Sequence, residues 1–101
     1  MNIYGQIRDA VQERHAIRVT FKGRERDVCP HVIGYKNGQE RVLTFQYAGY
    51  SSSGLPPDGE WRCMFISDIS SVEQIDAQWQ TGSGHSRPQT CVNDIDSEVD
   101  Y

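Results

Sequence analysis

Residues 30–69 of this 101-residue chain, PHVIGYKNGQERVLTFQYAGYSSSGLPPDGEWRCMFISDI, decide its fold. Asn37-Gly38 suits a tight hairpin turn, because both central residues of such a turn need positive φ. After that turn, a strand is predicted over about 40–48 and a loop rich in Ser, Gly and Pro over 49–59. A returning strand follows over 60–66. The stretch therefore predicts a β-hairpin, a polar loop and a further strand.

The residues before this stretch predict one helix and two strands. Apolar residues recur at helical spacing from about residue 2 to residue 14, with Asn2 as the N-cap. Residues 17–21 alternate apolar and polar side chains, as a half-buried strand does. A second strand runs over about 26–35, where Pro30 predicts a sheet edge or a bulge because proline has no N–H to donate. The helical apolar positions are Ile3, Ile7, Ala10 and Val11.

The residues after the stretch predict a last short element and then a tail. Val72 and Ile75 fit either a fifth strand or a turn of helix, and 81–88 is typical of a linker. One helix followed by about five antiparallel strands predicts a mainly β (α+β) domain over 1–78, a small SH3/Sm-like antiparallel β-barrel preceded by an N-terminal helix. Residues 79–101 are predicted to be a flexible acidic C-terminal tail.

The end of that tail alternates acidic residues with mostly apolar ones over 94–101. In an extended conformation it would show one acidic face and one largely apolar face. It can therefore add to the sheet as an edge strand, or lie over basic residues as a mimic of nucleic acid. The alternative is a disordered, solubilising tail.

Composition predicts a single cytoplasmic domain with no membrane association. With 37% hydrophobic residues, the chain has no apolar run near the roughly 20 residues that span a bilayer. The first residues have no basic segment followed by an apolar one, so no signal peptide is predicted. Cys29, Cys63 and Cys91 are therefore expected to be reduced thiols, and their odd number argues against a disulfide framework.

Charge is unevenly distributed along the chain. Residues 1–62 carry nine Lys/Arg and seven Asp/Glu, a net +2, whereas residues 63–101 carry one Arg and seven Asp/Glu, a net −6. A basic run between 14 and 26 favours nucleic acid or a phosphoryl ligand, since Lys and Arg contacts to phosphate release counterions. The alternative is a solvated strand face, and the net charge of −4 counts against a free-standing nucleic-acid binder. The run comprises Arg14, Arg18, Lys22, Arg24 and Arg26.

Polar side chains gather at the loop ends of the predicted barrel. Arg62 offers a planar fork for phosphate or carboxylate, and Trp61 offers a face for stacking. The hydroxyls and N–H groups of the 51–53 serines can form an anion-holding concavity. The alternative is a hydrogen-bonded loop that closes the barrel, with Trp61 packed in the core. Cysteine–histidine catalysis by Cys29 and His31 is disfavoured, and a zinc site lacks the paired ligand spacing.

A set of residues between 26 and 69 matches the pattern of a known family: Arg26, Val28, Pro30, His31, Gly34, Gly38, Leu43, Gln46, Ser51, Ser52, Ser53, Gly54, Trp61, Arg62, Phe65, Asp68 and Ile69. In their order and spacing these residues resemble the WYL domain, a small Sm/SH3-like β-barrel, and in particular its short, stand-alone bacterial members. The resemblance implies a regulatory or ligand-sensing module rather than a catalyst, because family members commonly sit behind a DNA-binding helix-turn-helix in transcription regulators. The tripeptide that names the family falls on 41–43, where only Leu43 matches.

The sequence thus predicts a non-enzymatic binding module for nucleic acid or a nucleotide-like anion, without cofactor or metal. The alternative is a protein-interaction or self-associating module that uses an exposed barrel edge, the strand containing Pro30. In the first hypothesis the arginines neutralise the ligand, the tryptophan stacks on it, and the other side chains orient it by hydrogen bonds. The predicted contact residues are Arg18, Arg26, His31, Gln46, Ser52, Trp61 and Arg62.

Overall fold

One helix and six strands form the part of the chain that the computed structural model describes, which is residues 2–49, 59–80 and 91–99. The mainly β composition and the N-terminal helix agree with the prediction. A 3-10 helix of three residues joins the fourth and fifth strands. In chain order the elements are α1 (Ile3–Glu13), β1 (Ile17–Phe21), β2 (Arg24–Lys36), β3 (Gln39–Gly49), β4 (Glu60–Phe65), the 3-10 helix (Ile66–Asp68), β5 (Ile69–Gln74) and β6 (Asp94–Glu98).

Helix α1 begins at the predicted N-cap and ends near the predicted residue 14. The Asn2 side chain accepts a hydrogen bond from the backbone N–H of Gly5 at 2.6 Å, which satisfies one of the free donors of the first turn. At the other end Arg14 adopts a left-handed conformation with φ of 52°. The buried face carries Ile7 and Val11 at the predicted helical spacing.

Two tight turns set the hairpins of the sheet. Lys22 and Gly23 have φ values of 52° and 78°, and Asn37 and Gly38 have values of 54° and 77°. Positive φ at both central residues matches the twist of the flanking strands. The turn predicted at Asn37-Gly38 is confirmed, and it pairs Lys36 with Gln39 at the start of the β2–β3 ladder.

The sheet is antiparallel, but it does not close into the predicted barrel. Its strand order is β4-β3-β2-β1-β5, and β6 pairs with β2. Over the described residues β4 pairs with β3 and β5 with β1, with no ladder between β4 and β5. The three-residue helix Ile66–Asp68 connects β4 directly to β5, the two edge strands of this order. The two edges therefore lie near each other without pairing.

Strand β2 lies in the centre of the sheet, so its predicted role as an open barrel edge is wrong. One side pairs with β3 along most of its length. The other side pairs with β1 over 24–28 and with β6 over 32–35. The alternative prediction for Pro30, a bulge, is confirmed, since the register against β3 shifts between Pro30 and Val32. A bulge there places the missing N–H where the ladder is already interrupted.

The two faces of the sheet carry different apolar clusters. We call the first the helix-side core: there α1 packs against fully buried residues such as Ile33, Val42 and Met64. We call the second the disulfide-side cluster, made of Val32, Cys91 and Val92 with Leu43 packed against them.

Residues 91–99, part of the predicted flexible tail, pack onto the sheet. Strand β6 pairs with residues 32–35 of β2, as the edge-strand alternative predicts. The ladder is extended at both ends, because Asn93 N–H donates to the Tyr35 carbonyl at 3.0 Å and Val99 N–H donates to the His31 carbonyl at 2.9 Å. The division of the chain near residue 78 stays a prediction.

The cysteines are not all reduced. A disulfide joins Cys63 on β4 to Cys91, and Cys29 is free and buried. The expectation of three thiols is therefore wrong. An odd number of cysteines does not exclude a single disulfide that leaves one cysteine unbonded. Disulfides persist mainly in oxidising compartments, so the cytoplasmic location loses this support and stays a prediction. None of the helices in the described segments is long and apolar enough to cross a membrane.

Candidate functional site

Three of the predicted contact residues, Arg26, Gln46 and Arg62, share one face of the sheet. Val28 lies opposite Gln46, and Arg26 precedes Val28 by two residues, so all three side chains are on the same side. On the neighbouring strand Glu60 lies opposite Gln46, and Arg62 lies opposite Thr44. We call Arg26, Thr44, Gln46, Glu60 and Arg62 the loop-base cluster.

Three members of the loop-base cluster, Arg26, Thr44 and Gln46, are buried, whereas Glu60 and Arg62 are half-buried. Gln46 has no exposed surface and Arg26 only 8%. The Gln46 Nε2 donates to the Ala48 carbonyl at 3.2 Å, and the Thr44 hydroxyl donates to the carbonyl of Arg62 at 3.2 Å. Burying a polar group costs free energy unless hydrogen bonds replace those to water, and these two hydrogen bonds offset part of that cost.

The charges of the loop-base cluster have internal partners. Arg62 Nη2 lies 2.9 Å from Glu60 Oε2. The guanidinium carbon of Arg26 lies 4.9 Å from the centroid of the Phe21 ring, within the range of a cation–π interaction. An anion entering the cluster would compete with the Glu60 carboxylate for Arg62.

The loop-base cluster lies where β3 ends and β4 begins. The residues between these strands, 50–58, include Ser51, Ser52 and Ser53, and we call them the serine loop. Gly49, the last residue of β3, pairs with Arg26. Gly59, just before β4, packs so closely that an added Cβ would lie 2.8 Å from the Gln46 carbonyl oxygen. The loop therefore starts beside Arg26 and ends beside Gln46. Ser52, the remaining predicted contact on this loop, lies outside the described residues.

His31 and Trp61 come together on the opposite face. Their ring centroids are 4.8 Å apart, and Trp79 lies at the same distance from His31 on another side. Trp61 also packs edge-on against Phe45 at 5.3 Å. The His31 Nδ1 donates to the Cys29 carbonyl at 2.7 Å, which fixes the tautomer of a fully buried ring. Trp61 is thus half-buried and packed against aromatic rings, and whether it stacks on a ligand stays a prediction.

Arg18 occupies a third place, on the exposed side of β1. Its Nε and Nη2 atoms donate to both carboxylate oxygens of Asp27, at 2.8 and 3.3 Å. Glu73 lies at 4.0 Å on the other side. The seven predicted contact residues therefore do not form one surface. Whether any of them contacts a ligand stays a prediction.

The basic run between 14 and 26 is also divided. Arg18 faces Asp27, whereas the Lys22 ammonium lies 5.4 Å from the Phe21 ring centroid, on the ring that Arg26 also contacts. Lys22 and Arg26 thus share the Phe21 ring, whereas Arg18 interacts with a carboxylate on the other face of the sheet.

Cys29 and His31 do not form a nucleophile–base pair. The Cys29 Sγ accepts a hydrogen bond from the Gln80 N–H at 3.3 Å, and burial raises the pKa of the thiol. The His31 Nδ1 is engaged by the Cys29 carbonyl, so it is not directed at the sulfur. Within the described segments no three His, Cys, Asp or Glu side chains come together as a metal site requires.

Sequence reasoning missed Thr44 and Glu60 as members of the loop-base cluster. The sequence carried a signal for both residues. Each is two residues from a predicted contact on the same strand and therefore lies on the same face of the sheet. It also missed an open cleft of about 490 Å³ at the β2–β3 turn, lined by aromatic and polar side chains. Its lining residues are Tyr35, Gly38, Gln39, Glu40, Phe65 and Ser67.

Comparison of the chain with family models, with curated proteins and with solved structures gave no match.

Proposed function

We propose that this chain is a binding module for a small nucleotide-like anion, held by the loop-base cluster together with the serine loop. One observation carries the proposal: Arg26, Gln46 and Arg62 share one face of the sheet where the serine loop begins and ends.

The chemistry of the loop-base cluster suits a phosphate group. A guanidinium presents a planar fork of donors that matches two phosphate oxygens. Gln46 contributes an amide, which can donate to a phosphate oxygen or accept from a sugar hydroxyl. Burial lowers the local dielectric constant and so strengthens each charged contact.

A small ligand fits the arrangement better than a nucleic-acid strand does. A strand needs a continuous row of exposed cations, and Arg18 and Arg62 lie on different faces. The net charge of −4 also opposes long-range attraction of a polyanion. The proposal includes a regulatory, non-enzymatic role in the cytoplasm and membership of the WYL family, as expected from the resemblance.

Calorimetric titration of the full chain with inorganic phosphate, AMP, cyclic AMP and a thymidine oligonucleotide tests this function. We expect saturable binding of AMP or cyclic AMP and an affinity loss of about tenfold in Arg62→Gln, the size of one charge-assisted hydrogen bond. Arg18→Gln is the matched control, since it removes the same charge from another face.

Equal losses in the two variants would show that only net charge matters and would refute the site. No heat with any mononucleotide would refute the function. Binding of the oligonucleotide alone, weakening steeply with salt, would return the assignment to nucleic acid.

A further inference from the structure

The edge of β2 over 32–35, together with the facing side of α1, forms a groove that holds residues 91–99. We call it the tail groove. Backbone pairing runs through its whole length, from the Asn93 N–H on the Tyr35 carbonyl to the Val99 N–H on the His31 carbonyl. Backbone bonds of this kind recognise any extended segment, and the side chains along the groove then select among segments.

Helix α1 supplies the polar contacts of the tail groove. The Tyr4 hydroxyl donates to Asp96 Oδ2 at 2.7 Å, and Arg8 Nη1 lies 3.9 Å from the same oxygen. Gln12 Nε2 donates to the Ser97 hydroxyl at 3.1 Å. The groove thus selects a carboxylate at one defined position of the bound segment.

Two valines anchor the segment at its ends. Val99 enters the helix-side core and Val92 enters the disulfide-side cluster. Between them the segment is mostly exposed, and Ile95 retains 47% of its surface. The segment is therefore held as a bound peptide is held, by backbone pairing, one recognised acidic group and two apolar anchors.

Gly34 shapes the floor of the tail groove. A Cβ at this position would overlap the Asp94 carbonyl oxygen and would lie 2.8 Å from a methyl group of Val92. The bound backbone therefore approaches β2 more closely than any side chain at 34 would permit.

A covalent bond at the end of the groove keeps the chain's own segment in place. Cys91, at the start of the segment, is bonded to Cys63 on β4, and the Cys63 residue is exposed whereas Cys91 is buried. A thiolate of an external dithiol can attack the Cys63 sulfur and expel the Cys91 thiolate, which takes up a proton. The second thiol of the reagent then releases Cys63, so that two electrons and two protons pass to the protein and the reagent becomes a disulfide.

We propose that the tail groove binds an extended segment of a partner protein, that residues 91–99 occupy it in the isolated chain, and that dithiol reduction of Cys63–Cys91 opens it. The partner segment would carry an acidic residue at the position of Asp96 and small branched apolar residues at the positions of Val92 and Val99. The intact disulfide excludes this partner because it fixes the start of the chain's own segment beside β4, in addition to the backbone connection, and so raises the effective concentration of that segment in the groove.

Fluorescence anisotropy with a labelled nine-residue peptide of residues 91–99, carrying serine in place of Cys91, tests the inference on the full chain. We expect the chain reduced with dithiothreitol to bind the peptide at least about tenfold more tightly than the oxidised chain. A peptide with Val99→Asp should lose binding because it places a charge in the helix-side core. A peptide with Ile95→Asp carries the same change at an exposed position, so it should bind within about twofold of the original.

Equal affinity in the two redox states, or no binding to the reduced chain, would overturn the inference. A reduced chain that loses its far-UV circular dichroism would overturn it too, because the groove would not exist without the bond. A reduced chain that sediments as a dimer without peptide would assign the groove to a second copy instead of a partner protein. The double variant Cys63→Ser/Cys91→Ser should bind the peptide without reductant, which separates loss of the bond from other effects of the reagent.

Discussion

The two faces of the sheet are stabilised in different ways. The helix-side core joins α1 to residues of every strand except β6 and takes in Val99 from the tail. Among the residues that the structure describes, three buried ones form the disulfide-side cluster, and one of them, Cys91, is bonded to Cys63. Apolar burial scales with area, so the first face supports itself, whereas the second combines a small apolar contact with a covalent bond. The attachment of β6 therefore combines backbone pairing with β2 and a covalent bond from Cys91, just before β6, to β4.

The largest effect is expected in the helix-side core. Ile33→Ala removes a fully buried side chain between α1 and the sheet and should lower the free energy of unfolding by about 4 kcal/mol. Leu43→Ala, at a half-buried position on the disulfide side, should cost about half as much. Urea unfolding followed by circular dichroism measures both. Equal losses would remove the difference between the faces.

Loss of the disulfide should have the next largest effect. Cys63 and Cys91 are 28 residues apart, and closing a loop of that length constrains the unfolded chain. Replacing both by serine should lower the free energy of unfolding by about 3 kcal/mol. The double variant should show no further loss when a dithiol is added, whereas the parent chain should.

A count of reactive thiols shows whether the disulfide is present in the purified protein. The denatured, unreduced chain should contain one reactive thiol, that of Cys29. Three reactive thiols would show that the bond is absent in the purified protein. In the folded chain Cys29 should react slowly, because burial raises the pKa of its thiol and limits access.

A smaller effect is expected at the start of α1. Asn2→Ala removes the side chain that accepts from the Gly5 N–H and should lower the free energy of unfolding by about 1 kcal/mol. Ser70→Ala on β5, an exposed position, should change it by less than about 0.5 kcal/mol. If the two variants are equally stable, the helix-side core does not depend on the helix cap.

The smallest effect at neutral pH concerns Tyr47. Its hydroxyl is buried with no hydrogen-bond partner among the residues the structure describes, so Tyr47→Phe should alter the free energy of unfolding by no more than about 0.5 kcal/mol. Burial raises the pKa of Tyr47 to about 12 from its ordinary value of 10.0.

The folded chain therefore keeps this proton where the unfolded chain loses it. The stability from Tyr47 is complete below pH 10 and falls as the pH rises toward 12. Urea unfolding across this range should show a shallower decline in Tyr47→Phe than in the parent. Burial also raises the pKa of Tyr4 in the same direction, so part of the decline should remain. An unchanged pH profile would contradict the assignment to Tyr47.

Much of the fold could be predicted because its signals are local. The Asn2 cap, the alternation in β1 and the Asn37-Gly38 turn each depend on a few neighbouring residues. The disulfide could not be predicted, since nothing in the spacing of Cys63 and Cys91 identifies them as partners. The alternation near the C-terminus indicated a strand, but only the structure shows that β2 is its neighbour.

The candidate site was predictable only in part. Alternation alone separates Trp61 from Arg62, because consecutive residues of a strand face opposite sides of the sheet. Grouping Arg26, Gln46 and Arg62 required the register of three strands. The β3–β4 register is set across the 49–59 loop, where no local rule fixes it.

Gly34 ties the identity of one position to the presence of a segment sixty residues later in the chain. A β-carbon at this position is incompatible with the observed course of the backbone at Asp94. Among relatives that keep the first five strands, those with a larger residue here should lack the sixth strand or place it elsewhere. The codon for this residue would then indicate whether a homologue pairs this edge of β2 with a sixth strand or leaves it unpaired.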